Sequence, residues 1–231
     1  KCCFFYKEKN MNLDNIKKEY KKMQKIYGDP SLEPIYFGGC CNNPDICFVF
    51  MNPTARNIAA DKSWQGPRSP WIGTKNIWDL FMAIKIIDED LYQEIKSKKG
   101  REWTPDFAKK VYKKVENNKI FITNLGKCTQ IDARPLPDKV FKEYLTLMEN
   151  EIAIVNPKVI ILFGNQVSSI FLKEKISVST SRKKKYIKEI NNKKYTCFPV
   201  YYPIGNGRFN IDKSIEDILW IKEVYFNEIH N

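Results

Sequence analysis

A chain of 231 residues, 43% of them hydrophobic, can enclose one full core and is too short for several large domains. Its 39 lysines and arginines against 27 acids leave a formal charge of +12, which points away from a neutral metabolite and toward a polyanion such as nucleic acid. Lysine- and asparagine-rich coding would produce part of the same excess. No apolar run approaches the roughly 20 residues of a membrane span. The first ten residues carry three lysines and no long apolar segment, so a signal peptide is not expected and a cytoplasmic location is, nucleoid-associated in a prokaryote. Seven cysteines without any C-x-x-C spacing argue against a disulfide framework and ordinary zinc sites, and read as buried reduced thiols.

The first predicted element is a helix over 12–27, where Leu13, Ile16, Tyr20, Met23 and Tyr27 fall at spacings of three and four and Gly28-Asp29-Pro30 closes it. Residues 34–45 read as an irregular link. Cys47 to Met51 is an uncharged apolar run without alternation, the pattern of a strand buried on both faces. Asn52-Pro53 stops it, because proline cannot continue a central ladder and drives the residue before it out of helical geometry. About twenty residues rich in Gly, Pro, Arg and Trp follow, and a loop that long inside a compact domain is usually functional.

Helical spacing resumes at Asn76 with Ile77, Leu80, Phe81 and Ile84. Two further helices are predicted over 88–98 and 104–117, the second with Thr104 as cap and Pro105 at its first position. A second strand, 119–125, contains the polar Asn124 near its end. Residues 137–156 read as a long helix striped by Val140, Phe141, Leu145, Met148, Ile152 and Val155. A third buried strand covers 158–163, and Gly164-Asn165 turns it into a short helix over 166–173. The basic stretch 173–194, centred on Arg182 to Lys185, reads as a solvated loop or hairpin, with phosphate contact as the alternative. A fourth strand, 195–202, precedes Pro203, and a helix over 213–229 closes the chain.

Strands separated by helices predict a three-layer α/β/α sandwich around a central, mostly parallel four-stranded sheet. One domain over 1–231 is expected, with an N-terminal helical extension at about 1–45. In such sheets ligands bind at the carboxyl ends of the strands, which gathers Asn52, Asn124 and Tyr202 on one rim. His230 is the only histidine and lies one residue from the end, which excludes Ser-His-Asp and Cys-His machinery. No phosphate-binding P-loop or dinucleotide fingerprint occurs. The rim carries asparagines where a two-metal nuclease needs clustered carboxylates. An amide offers both donor and acceptor to a base edge, and an indole such as Trp71 can stack on its face, so the rim suits an enzyme that reads a nucleobase. Asn at a strand end is also an ordinary turn residue, and Trp71 could equally fill core.

Four segments in order resemble the uracil-DNA glycosylase superfamily, from about Ile46 to Phe209. Met51-Asn52-Pro53 resembles the first motif of the mismatch-specific and single-strand-selective branches, Gly, Ile or Met, Asn, Pro, Gly. Pro70-Trp71-Ile72-Gly73 resembles the Pro-Phe-Val-Gly segment of the iron–sulfur branch, whose aromatic stacks on the flipped base. Phe121 to Cys128 resembles that branch's Tyr-Ile-Thr-Asn-Val-Val-Lys-Cys, whose Asn reads the pyrimidine. Asn156 to Gly164 resembles its Pro-Lys-Val-Ile strand. Phe50 and Thr54 replace the glycines flanking the first motif, and Tyr202-Pro203-Ile204 stands where most relatives have His-Pro-Ser.

The resemblance implies a monofunctional DNA glycosylase for uracil or a related altered base, with Asn52 catalytic and Met51, Trp71, Asn124 and Tyr202 around the base. Pro53, Lys127, Asn206, Arg208 and Phe209 are the expected DNA contacts, with Arg208 the wedge candidate, Phe209 next, and Trp64 able to share the stacking role. The alternatives are a glycosylase for modified pyrimidines in foreign DNA, acting in defence, and a catalytically inert DNA-binding module on the same scaffold. Cys128 matches one cluster ligand of the iron–sulfur branch, but the next expected ligand position is Tyr144 and no matching N-terminal cysteine pair is evident. No cofactor and no metal are therefore expected, on ligand count. DNA is the expected partner and a monomer the expected state.

Overall fold

The computed structural model of the chain describes residues 11–133 and 136–226. Its sheet has six strands in the order β1-β3-β2-β4-β6-β5. These are β1 (Phe37–Gly39), β2 (Ile46–Phe50), β3 (Ile120–Asn124), β4 (Val159–Phe163), β5 (Tyr186–Ile190) and β6 (Lys193–Val200). The inner four, β3-β2-β4-β6, run parallel, and each edge strand pairs antiparallel with its neighbour. The sandwich is as expected, but the sheet has six strands, not four, because both edge strands hide from pattern reading. β1 is three residues, two of them glycine. In β5 it is Lys188 that points inward, 8% exposed at its side chain and 2.7 Å from Glu149, so the charge pattern masks the strand's alternation. The hairpin turn between β5 and β6 uses Asn191 and Asn192, both at positive φ, the pair a two-residue type I′ turn needs.

Every residue of β2, β3 and β4 is buried, which is why these strands read as unbroken apolar runs. One face of the sheet is covered by α2 (Ile77–Ala83), α3 (Glu89–Ser97), α4 (Pro105–Asn117) and α8 (Ile211–Trp220), joined to Phe48, Phe50, Ile161, Phe163 and Phe198 in one core. The other is covered by α1 (Leu13–Tyr27), α5 (Asp138–Val155) and α6 (Asn165–Leu172), against Cys47, Val49, Phe121 and Leu162. The N-terminal helix is part of this second core, with Ile16 and Tyr20 fully buried. Thr104 caps its helix as the sequence placed it, accepting from Phe107 N–H with proline following, and Asn12 caps the first helix, accepting from Asn15 N–H. A short α7 (Val178–Ser181) precedes the hairpin, and α8 runs on as a wider π turn over Ile221–Tyr225.

Arg182 of the basic stretch is drawn back to the fold, its Nε 3.0 Å from both oxygens of the buried Asp217 and its guanidinium also on Glu216. Lys183 reaches Glu216 at 2.5 Å. These contacts tie the hairpin to α8, while Lys184 and Lys185 stay exposed.

Candidate active site

The four parallel strands end along one edge of the sheet, the edge where open α/β sheets bind ligands. Register fixes what stands there: Phe50 lies opposite Asn124, and Phe163 opposite Val200. Alternation puts Asn124, Phe50, Phe163 and Tyr202 on the same face, that of α2, α4 and α8. The rings of Phe50 and Phe163 stack at 4.2 Å with an interplanar angle of 4°. Trp71 stands edge-on to Phe50 at 5.0 Å and Tyr202 edge-on at 6.3 Å. The result is an aromatic wall with an amide at one end and a phenol at the other.

Asn124 is 2% exposed, and its Nδ2 has no hydrogen-bond partner among the described residues. A buried N–H without a partner costs on the order of 1–3 kcal/mol, a cost that an acceptor on a ligand or an ordered water would remove. Asn57 shows the contrast at 4% exposure: its Nδ2 donates to Ser69 O at 2.9 Å and its Oδ1 accepts from Ala59 N at 3.0 Å. The indole N–H of Trp71 is also buried without a partner, but so are those of the core residues Trp78 and Trp103, so the discriminating donor is the Asn124 amide. Burial raises the Tyr202 phenol above its ordinary range, which keeps the hydroxyl protonated and able to donate.

Asn52 is half-buried just past the end of β2. The β2–β3 pairing continues beyond both strands through Leu125 N to Phe50 O at 2.7 Å, Gly126 N to Met51 O at 2.9 Å and Gln130 N to Pro53 O at 3.2 Å. This holds Asn52 against the turn after β3, where a Cβ on Gly126 would stand 3.6 Å from its own Cβ. Its Nδ2 donates to Pro53 O at 3.2 Å, which leaves Oδ1 to accept from a ligand or water.

The long loop is built rather than slack. Ile58–Ala60 forms a single 3-10 turn, Ser69 Oγ donates to Phe37 O at 2.8 Å, Tyr112 donates to Pro70 O, and Arg68 is bonded to the carbonyls of Ala59, Asp61 and Trp64. Trp71 sits at φ +69°, a left-handed conformation that a bulky residue adopts only when its surroundings impose it. Thr74 secures it, donating from N and Oγ1 to Trp71 O at 3.1 and 2.8 Å. Gly73, at φ +81°, has no room for a side chain: a Cβ would meet Ile58 at 2.7 Å.

Phe50 thus has Trp71 and Tyr202 edge-on to its ring and Asn124 opposite it in register, while Asn52 stands against the turn after β3. Asn206, Arg208 and Phe209 stand exposed beside them on a 3-10 turn over Gly205–Asn210, with Phe209 79% exposed and the Arg208 guanidinium 4.9 Å above its ring. Four expectations fare differently. Lys127 is no phosphate contact: it is fully buried and paired with Glu151, so its charge cannot reach DNA. Pro53 is buried and engaged through its carbonyl. Met51 packs its side chain against the opposite core and reaches the rim only through its backbone. Trp64 is committed to its own turn, its Nε1 donating to Pro67 O at 2.9 Å. Sequence reading missed Phe163 as part of the wall, although its alternation with Ile161 was readable. It also missed Glu151, whose one signal was an acid inside the apolar stripe between Met148 and Ile152.

A family model, Uracil DNA glycosylase superfamily, matches residues 37–218. The chain belongs to this superfamily. No curated protein matches it closely enough to supply a named relative. DNA glycosylase activity is what membership suggests in general, and DNA is the superfamily's partner. Within the superfamily frame the described residues around Cys128 do not fit an iron–sulfur cluster. Cys128 is buried beside Tyr144, whose ring packs with Tyr20 at 6.0 Å and Tyr27 at 6.3 Å. Aromatic packing fills the position where the iron–sulfur glycosylases carry a second thiolate. Cys2 and Cys3 lie outside the described residues, and among the described residues no three His, Cys, Asp or Glu side chains converge. No described helix is long and apolar enough to cross a membrane.

Proposed function

We propose that this protein is a monofunctional DNA glycosylase that extrudes uracil or a related altered base and hydrolyses its N-glycosidic bond, leaving an abasic site. The observation that carries the reading is the buried, unpartnered amide of Asn124 at the end of an aromatic wall. A base inside a duplex cannot be reached there, so its nucleotide must rotate out at a cost of a few kcal/mol. Arg208 and Phe209 offset that cost by filling the vacated stack. Trp71 covers one face of the extruded base, and Asn124 donates to a carbonyl oxygen on its edge.

As the glycosidic bond breaks, its electron pair moves into the base and the sugar becomes cationic. Asn124 and the Tyr202 hydroxyl stabilise the growing negative charge because they are fixed donors in a site partly closed to water. Asn52 orients the attacking water through Oδ1. An amide is too weak a base to remove its proton early, so that proton passes to bulk water, and from there to the departed base anion, only after the new bond to the sugar has formed. No lysine nucleophile is assigned, since Lys127 is committed to Glu151.

The test is incubation with oligonucleotides carrying uracil, hypoxanthine, 5-hydroxymethyluracil or modified cytosines, and with phage genomic DNA, followed by quantification of abasic sites. Product from uracil supports the proposal. Product from modified DNA alone would reassign the substrate to a modified pyrimidine and the role to defence, a reading favoured by Phe50 and Tyr202 where relatives carry glycine and histidine. Binding without product from any of them would leave an inert DNA-binding module.

A further inference from the structure

Behind the rim, on the opposite face of the sheet, lies a buried ionic group that the chemistry above does not use. Lys127 and Glu151 are both fully buried, and Lys127 Nζ is 3.2 Å from each Glu151 carboxylate oxygen. Nζ also donates to Thr123 Oγ1 at 2.6 Å and to the backbone carbonyl of Asn124, and lies 4.8 Å over the ring of Tyr20. Thr123 Oγ1 donates in turn to Glu151 at 2.5 Å. The desolvation of such a pair can outweigh its attraction, and well-packed apolar residues in its place are often neutral or stabilising. Stability alone therefore gives no reason for it. The Asn124 amide, which must stay free for a ligand, has no hydrogen bond to orient its Nδ2, so its aim rests on the packing around it and on where the backbone places its Cα. The Lys127 ammonium donates to the Asn124 carbonyl, and Glu151 anchors that ammonium to α5.

We propose that Lys127, held by Glu151, is a positioning residue that fixes the peptide after Asn124 and so aims the Asn124 amide at the extruded base. This rests on the reading of Asn124 as the base-reading amide. The paired variant Lys127→Met/Glu151→Leu replaces the ions by apolar groups of similar volume. On a uracil-containing oligonucleotide its single-turnover rate is expected to fall at least about tenfold, since small misplacements of an oriented group cost that much or more. Affinity for the same DNA should stay within about twofold of wild type, because neither group touches the surface. The side-chain amide resonance of Asn124, assigned by its loss in Asn124→Ala, should change from one sharp signal to a broadened one. Asn124→Ala added to the paired variant should cost much less than in wild type, as for residues acting through one another.

Thr123→Val, which removes a shared contact without orphaning a charge, should move the rate and the resonance in the same direction, and carries the test should the paired variant fail to fold. A wild-type rate, an unchanged resonance or full additivity with Asn124→Ala would overturn the inference. Loss of activity in Asn124→Ala with any of those results sinks the positioning role alone. An Asn124→Ala protein with full activity sinks the reading of Asn124 itself, and the inference with it.

Discussion

Asn124 and Asn57 form a natural pair of tests, the same residue type at 2% and 4% exposure, one with an idle donor and the other with both amide atoms engaged. Asn57→Ala removes a cap and strands the Ser69 carbonyl and the Ala59 N–H, a loss of roughly 2 kcal/mol. Asn124→Ala removes an N–H that has nothing to lose in the folded protein, so its stability should stay within about 1 kcal/mol of wild type and can rise. Activity should separate the two in the other direction. A hydrogen bond to a charge-bearing group contributes about 1.5–3 kcal/mol, so losing the Asn124 donor should lower kcat/KM roughly 10- to 150-fold. Asn57→Ala, measured where it is still folded, should keep its rate near wild type. Urea unfolding gives the first quantity, and abasic-site formation on a uracil oligonucleotide the second. If Asn124→Ala unfolds as easily as Asn57→Ala and retains its rate, the amide is structural and the reasoning from its missing partner is wrong.

Asn52→Ala should lower turnover by about 100- to 1000-fold, the scale of losing a transition-state-oriented group, with DNA binding by gel shift nearly unchanged; comparable residual activity would move the catalytic role elsewhere. Phe209→Ala and Arg208→Ala should leave stability within about 0.5 kcal/mol, because both side chains are exposed, yet should slow excision from duplex more than from single strands, where no stack has to be refilled. Equal effects on both substrates would exclude the wedge. DNA affinity should fall steeply with added salt, by close to one log unit per log unit for each duplex phosphate contacted, and a flat response would remove DNA as the partner. Lys183 and Arg182 hold the Glu216 carboxyl down at about 2 through their hydrogen bonds and charge. A carboxyl whose folded pKa is depressed contributes stability above its ordinary value near 4.5, lost as pH falls toward 2. Melting temperature should therefore drop more between pH 5 and 3 in wild type than in Glu216→Gln, and parallel curves would refute the tie between hairpin and α8.

Sequence reading located every strand of the parallel sheet because strands buried on both faces leave uninterrupted apolar runs, and it found the rim because Asn52-Pro53 and Asn124 interrupt those runs at their carboxyl ends. It lost the edge strands for opposite reasons: Phe37-Gly38-Gly39 has too little side chain to show a period, and Lys188 places a charge on the inward face. Lys127 was misread because a lysine in a loop after a strand looks solvated, while the acid that buries it lies twenty-four residues on, in another element. The left-handed backbone of Trp71 was also invisible, since loop geometry imposed by Thr74 and Gly73 leaves no mark in composition.

In the proposed reaction an extruded base is gripped between Trp71 and Asn124 while water is delivered from Asn52. A crystal structure of the Asn52→Ala variant with a uracil-containing oligonucleotide would show whether it is. The uracil should lie outside the helical stack, against the Trp71 indole, with a carbonyl oxygen within hydrogen-bond distance of Asn124 Nδ2 and the Arg208–Phe209 turn in the gap it left. A complex in which DNA lies across this rim with every base still stacked, and the Asn124 amide still without a partner, would contradict it.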